Sequence, residues 1–374
     1  MPYALKDRLF VSILFNGQEF PFETNSLDFL HMSSSVRTAL PILTFKVTDV
    51  KKFLTLNNFL VDGTRITVTA GKEQQKTAYN FRLFSFKEIP SNSPEYKIHA
   101  YLDAPLYWAS SLVEAQKGTS NEVLKKMADR CGMTYSGVNT SDSQNWLPQN
   151  LTIREFVRQV AYHGWANDSS CMQAAVTLDR VLRYRNVSDF DTYPVKDFFA
   201  TTKVTDKIKP MTDYAIVNRA GFMNVTTGYQ ETRVVQSVIE EDDAKHSSLT
   251  FKKNSAKLMM SADVKSQVDR NKFSFAPVDV GNTHANYEKA AYQNRRMGNL
   301  FALGLDMMTP EFSSADLLDV VNIEMELPDV KGSRQYSGKY LVLSKVIYVQ
   351  GGNYYEKLEL ARHGLNEPKE DTQG

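Results

Sequence analysis

Apolar and polar residues alternate in short runs through the first hundred positions of the chain. Leu9, Val11, Ile13 and Phe15 fall on every second position. Successive side chains of a strand point to opposite faces, so this spacing predicts a strand with one buried face. Asn16-Gly17 follows, a pair suited to the positive φ angles of a tight hairpin turn, and Glu19 to Phe22 can return. Leu60-Val61-Asp62-Gly63 leads into a second run, Arg65 to Thr69, then a polar turn from Gly71 to Lys76. Phe81 to Phe86 and Tyr96 to Leu102 complete a β-meander.

The period then lengthens. Thr119-Ser120-Asn121-Glu122 has the form of a capping box, in which hydroxyl and carboxylate satisfy each other's free amides at a helix start. Val123, Leu124, Met127, Ala128 and Cys131 recur at helical spacing, and Gly132 marks the stop. The same grammar repeats: Thr152 to Glu155 as box, Phe156, Val157, Val160 and Ala161 as stripe, Gly164 as stop. Apolar stripes of this kind read as core-facing rather than as a cofactor groove. Residues 174–187 read as a hairpin turning at Asp179-Arg180, and Tyr214 to Val217 and Gly221 to Thr227 as strands. Residues 231–280 read as polar and irregular, with Glu240 to Asp243 and Lys252-Lys253 as solvated charge runs. A helix is predicted from Thr283 to Arg296, with Gly298 as its stop, then strands to residue 363 and a polar tail.

One pattern recurs at long range. Leu60 to Val68 matches Leu317 to Met325, with Leu, Asp and Ile in register. Phe81-Arg82-Leu83-Phe84-Ser85 then matches Tyr340-Leu341-Val342-Leu343-Ser344, and further strands begin at Tyr96 and near Tyr354. The same small β-module built twice accounts for this order. The expected fold is α+β and mainly β: two similar small antiparallel barrels with two α+β insertions. Its divisions are 1–103 as the first barrel, 104–197 as an α+β domain with two short helices, and 198–230 with 300–364 as a second, split barrel. Residues 231–299 form an insertion ending in a helix, and 365–374 a disordered tail.

Composition narrows the chemistry. Lys and Arg total 44 against 43 Asp and Glu, so there is no general basic field for nucleic acid. Cys131 and Cys171 are the chain's two cysteines and form no disulfide framework or CxxC, and the six histidines are scattered, so no zinc site is expected. Neither a secretory signal nor a run long enough to span a membrane is read, so folding in a reducing cytoplasm without membrane insertion is expected. No nucleophile elbow, H-E-x-x-H or dinucleotide loop is present. Gly332 with Gly338-Lys339 misses phosphate-loop spacing by one residue, and Tyr340 stands where Ser or Thr would hold magnesium. Glu240 to Asp243 are solvated alike and cannot be tuned apart as an acid–base pair. Trp108, Trp146 and Trp165 read as packing residues. No catalytic, cofactor-binding or metal residue is assigned.

Four stretches resemble the baseplate hub family, which covers contractile-tail hub proteins, the late control protein D group and the N-terminal hub part of VgrG spike proteins. They are Leu60 to Val68 with Phe81 to Phe86, the paired-helix unit Ser120 to Gly132 and Thr152 to Trp165, Tyr287 to Gly298 leading into Leu300 to Met307, and Ser337 to Ile347. The resemblance rests on domain order and soft motifs over most of residues 1–363. It implies a non-enzymatic homotrimeric ring with pseudo-sixfold β-barrels, joining a hexameric tail tube to a trimeric spike. The sequence departs from the family pattern in showing no spike repeat after residue 363, so a spike on a separate chain is expected. Other baseplate proteins would surround it, DNA would pass its lumen without specific binding, and it would sit in the virion tail after assembly in the host cytoplasm. Alternative expectations are a tail-associated cell-wall hydrolase and a receptor- or glycan-binding tail module.

Overall fold

The alternation at Leu9 to Phe15 is realised as β1 (Leu9–Phe15), with Ile13 and Phe15 buried. The computed structural model describes residues 9–23, 26–72, 75–167, 170–218, 232–237, 247–250, 275–278, 284, 286, 301, 303–326 and 333–362. Asn16 and Gly17 take φ of 48° and 88°, the left-handed pair that the turn requires. Two strands unread in the sequence follow, β2 (Leu27–Ser35) and β3 (Ile42–Thr48). The predicted meander is β4 (Arg65–Lys72), β5 (Gln75–Ile89) and β6 (Glu95–Leu102). These six strands lie side by side in the order β2-β3-β6-β5-β4-β1, each antiparallel to its neighbour.

Both helices predicted from capping boxes form, α1 (Ser120–Arg130) and α2 (Ile153–His163), each opened by its box. Their apolar stripes pack with Trp146 and with Leu182 and Tyr184 of a hairpin, β7 (Met172–Val176) and β8 (Val181–Asn186). Arg180 turns that hairpin with φ of 67°. Beneath α1, the buried Asp142 carboxylate accepts from the Ser120 amide (2.8 Å), the Ser120 hydroxyl (2.6 Å) and the Trp165 amide (2.7 Å). Tyr184 Oη closes this network 2.9 Å from Ser120 Oγ, in space left by Gly164. A Cβ at Gly164 would stand 1.8 Å from that hydroxyl. Gly164→Ala is expected to destabilise by about 1–3 kcal/mol through this overlap, read from urea unfolding. Addition of Tyr184→Phe, which removes the clashing oxygen, should recover part of the loss.

The two-residue strand Gln18–Glu19 returns beside β1, and the main sheet continues with β9 (Val195–Ala200), β10 (Ile208–Pro210), β11 (Asp213–Asn218), β12 (Leu303–Thr309), β13 (Val320–Glu324), β14 (Gly338–Gln350) and β15 (Asn353–Arg362). Six lie in the order β11-β12-β15-β14-β13-β9. Strand for strand, and in the same chain order, this is the arrangement β2-β3-β6-β5-β4-β1. It departs only at the last position, where β9 runs parallel to β13 while β1 is antiparallel to β4. Both copies bulge at the same place: the β5–β6 register shifts between Leu83 and Ser85, the β14–β15 register between Val342 and Ser344.

The turn before β4 also recurs before β13. Gly63 donates to Leu83 O, Leu83 to Thr64 O and Thr64 to Val61 O; Leu318, Val342 and Asp319 donate likewise to Val342, Asp319 and Asp316. Gly63 therefore corresponds to Leu318, both with positive φ, and the repeat read in the sequence was two residues out of register there. A slip of two keeps every side chain on its face, so alternation alone does not detect it.

The sequence expects two similar small barrels; no closed barrel is seen among the described residues, and the strands of both units join in one fourteen-stranded sheet. The reason is the length of β14. Residues 338–341 lie beside β13, and residues 344–350 continue beside β2. Ile347, Val349 and Tyr354 of the β14–β15 hairpin thereby enter the N-terminal core with Leu30, Met32 and Phe45, while Leu341, Val342, Leu358 and Leu360 fill the C-terminal one. The irregular reading of 231–280 needs correction. Thr232–Ser237, Ser247–Thr250 and Phe275–Val278 form a three-stranded sheet. Their β-branched and aromatic residues suit strands, whatever the flanking charge runs suggest. The strand read at Gly221 to Thr227, the acidic run Glu240 to Asp243, the helix read at Thr283 to Arg296 apart from His284 and Asn286, Gly332 and the tail lie outside the described residues.

Candidate assembly surfaces and the buried junction behind them

Where the three cores meet, the chain buries charge. Lys345 on β14 is 3% exposed and Glu356 on β15 is fully buried. Lys345 Nζ lies 3.1 Å from Glu356 Oε2 and donates to the carbonyls of Ser313 (2.8 Å) and Ala315 (3.0 Å). Tyr354 Oη donates to the other Glu356 oxygen. Burial acts to lower the Lys345 pKa, but Glu356 and Asp316 outweigh it and hold it above the ordinary lysine value. Burial raises the Asp316 carboxyl. Tyr79, from the N-terminal unit, is raised by burial and by Glu356 and Asp316 beyond it. Two further ties converge here: Arg183 of β8 reaches Asp319 (2.7 Å) and Leu317 O (2.8 Å), and Lys72 of β4 reaches Glu311 (2.7 Å). The arrangement fixes three units relative to one another. It presents no nucleophile and base converging on an open cleft.

Asp197 makes a second clasp, between β9 and the 313–315 loop. It accepts from Ser313 Oγ (2.8 Å) and the Ala315 amide (3.0 Å) and pairs with Lys209. Burial acts to raise its pKa, but those hydrogen bonds and the Lys209 charge win and set it below the ordinary 3.8. A carboxylate lowered in the folded state contributes stability above its unfolded pKa and loses it as pH falls through the folded value. The stability gap between wild type and Asp197→Asn should thus be widest near pH 7 and shrink below about pH 4, measured by urea unfolding across that range.

The surface offers sheet edges. Pairing of β4 with β5 ends at Arg65–Arg82, and residues 84–89 of β5 extend beyond it, all exposed. Phe84, Phe86 and Ile89 are 48%, 41% and 49% exposed there. Strand β11 pairs only with β12 among the described residues, and its Ile216 is 36% exposed. A cleft of ≈ 360 Å³ opens between β1 and the β14–β15 tip, lined by Leu9, Val11, Phe22, Leu27, Val349 and residues 350–352. Unpaired edges are templates for another strand; sequence reasoning expects edge strands to make contacts but does not name the residues of these edges. The signal available was the run Phe84-Ser85-Phe86-Lys87-Glu88-Ile89, which continues past the predicted end of its strand.

Among the described residues, those weighed in the sequence for chemistry form no catalytic or metal cluster, although His284 lies against Trp146 (ring centroids 6.5 Å) and its Nε2 is 3.2 Å from His163 O. The Trp108 indole donates to Leu102 O (3.0 Å) and the Trp146 indole to Gly118 O (2.9 Å). Lys339 Nζ donates to Asp191 O. Cys131 and Cys171 are buried, and burial pushes the Cys131 thiol up to about 11. Among the described residues no group of three or more His, Cys, Asp or Glu could hold a metal ion, and no helix is long and apolar enough to cross a membrane.

No protein-family model matches the chain, and no curated protein sequence does. Solved structures share its fold over nearly its whole length. A tail protein from Neisseria meningitidis MC58 is 12% identical with a TM-score of 0.60, over 95% of this chain and 97% of that one. The 43 kDa tail protein of prophage MuSo2 from Shewanella oneidensis is 8% identical with a TM-score of 0.61, over 96% and 100%. A prophage tail protein from Listeria monocytogenes EGD-e is 11% identical with a TM-score of 0.51, over 96% and 95%.

Proposed function

We propose that this chain is a structural baseplate hub protein of a phage tail or related injection machine, acting as a homotrimer and without enzymatic activity. The observation that carries the reading is the matched pair of β-units, alike in strand order, bulge and turn, within a fold shared end to end with tail proteins. Three chains with one unit each can offer a hexamer only three equivalent contacts; three chains with two units offer six. Barrel-like closure of the C-terminal unit is supported by segment 208–218, which lies beside β9 at β10 and beside β12 at β11. One face of the ring would meet the hexameric tail tube and the other a trimeric spike. The α+β unit and the 231–299 insertion would lie outside the six-lobed annulus, among other baseplate proteins. The lumen would pass DNA without reading it. The protein would therefore belong to the virion tail.

Light scattering coupled to size exclusion tests this directly. The expected mass is three times the 42.4 kDa of the chain, with six lobes in negative stain. An obligate interface of this kind should bury roughly 2,000 Å² or more. A compact monomer at high protein concentration overturns the reading.

A further inference from the structure

The junction between the two β-units inside one chain can be copied onto the junction between chains. Beyond its bulge, β14 leaves its own unit and pairs antiparallel with the edge of β2: Val346 opposite Ser33, Ile347 opposite Met32, Tyr348 opposite His31. The equivalent half of β5, residues 85–89, has no such partner strand among the described residues. The equivalent of the β2 edge is β11, likewise open on that side. We propose that, in the hub trimer, residues 85–89 of each chain pair with β11 of the next chain, in the register that β14 and β2 use internally. This rests on the trimeric reading above and adds to it the edges and their alignment.

The register follows from the paired strands. Leu83 lies opposite Ala100, Ala100 opposite Leu43, and Leu43 opposite Met32. In the second unit Val342 lies opposite Leu360, Leu360 opposite Leu305, and Leu305 opposite Ile216. Met32 therefore corresponds to Ile216, and Ser85 to Ser344. The intermolecular pairs are Lys87 with Val217, Glu88 with Ile216, and Ile89 with Ala215.

Burial agrees with a missing strand. Met32, covered by β14, is 0% exposed, while its counterpart Ile216 is 36% exposed. Lys345 is 3% exposed, while its counterpart Phe86 is 41% exposed. Each unit would then donate one extended strand and accept one at its β2 or β11 edge. Repeating that head-to-tail contact around a ring gives three internal and three intermolecular junctions of one kind.

Cysteine pairing reads the register. The double variant Lys87→Cys/Val217→Cys places both cysteines directly opposite across the junction, within reach of a disulfide. After mild oxidation of the full-length protein, a covalent trimer is expected on a denaturing non-reducing gel. Glu88→Cys/Val217→Cys, slipped by one residue, points its cysteines to opposite faces and should remain largely monomeric on that gel. Wild type is the background control, since Cys131 and Cys171 are buried. If light scattering gives a trimer and the matched pair does not cross-link, or cross-links no better than the slipped pair, the proposed pairing is wrong while the hub reading stands. If the chain is monomeric throughout, both fall.

Discussion

Lys345→Met is expected to lower global stability by about 3–5 kcal/mol, the cost of leaving a buried carboxylate without its cation. The lysine faces Glu356 at 3.1 Å and holds the 313–315 loop through two carbonyls, so its removal strands Glu356 and frees the loop together. Asp316 contributes less to the loss, because burial already moves its carboxyl toward the neutral form. The penalty should shrink as pH falls, since an unpaired buried carboxylate takes up a proton in place of the missing charge. It should shrink also in Lys345→Met/Glu356→Leu, where neither charge remains. Urea unfolding of wild type and both variants at pH 7 and pH 5 measures this. A loss below about 1 kcal/mol for Lys345→Met at pH 7, the level of an exposed pair, would mean that water reaches the junction.

That junction was invisible in the sequence for a physical reason. Lys345 and Glu356 sit in alternating strands, where period two assigns them to a face but does not say that the face is enclosed. What covers Lys345 is the loop at 312–315, with two carbonyls on its ammonium and the Phe312 ring 5.5 Å away, some thirty residues off in the chain. The helices were legible because a capping box and a stripe are local: Thr119 with Glu122 and Thr152 with Glu155 state their own start. Strand β2 was not, because His31, Ser33 and Ser35 alternate with Leu30, Met32 and Ser34 without β-branched residues or turn punctuation. The duplication was legible as a rhythm, in register for β5 and β14 and mistaken by two residues at the turn before β4 and β13. The free edges at 84–89 and β11 became visible only once a strand was seen covering the equivalent positions elsewhere.

The sharing of β14 between units sets the last prediction. A boundary drawn at residue 103 separates β2 from the strand that covers it. Leu30 and Met32 would lose Ile347 and Val349 from above them, and the β2 edge would lose its pairing from Phe29 to Ser35. Residues 1–103 made alone are therefore expected to show no cooperative urea transition by circular dichroism. In the full chain, Ile347→Ala should cost about 2–5 kcal/mol, as for other fully buried aliphatic side chains cut to alanine. Because β14 is hydrogen-bonded into both units, the loss should reach both. Hydrogen exchange of β3 to β6 and of β12 to β13 should accelerate by a similar factor, as members of one cooperative unit do. Cooperative folding of the fragment, or faster exchange confined to the N-terminal strands, would show that the N-terminal unit stands by itself and that the β14–β15 hairpin merely leans on it.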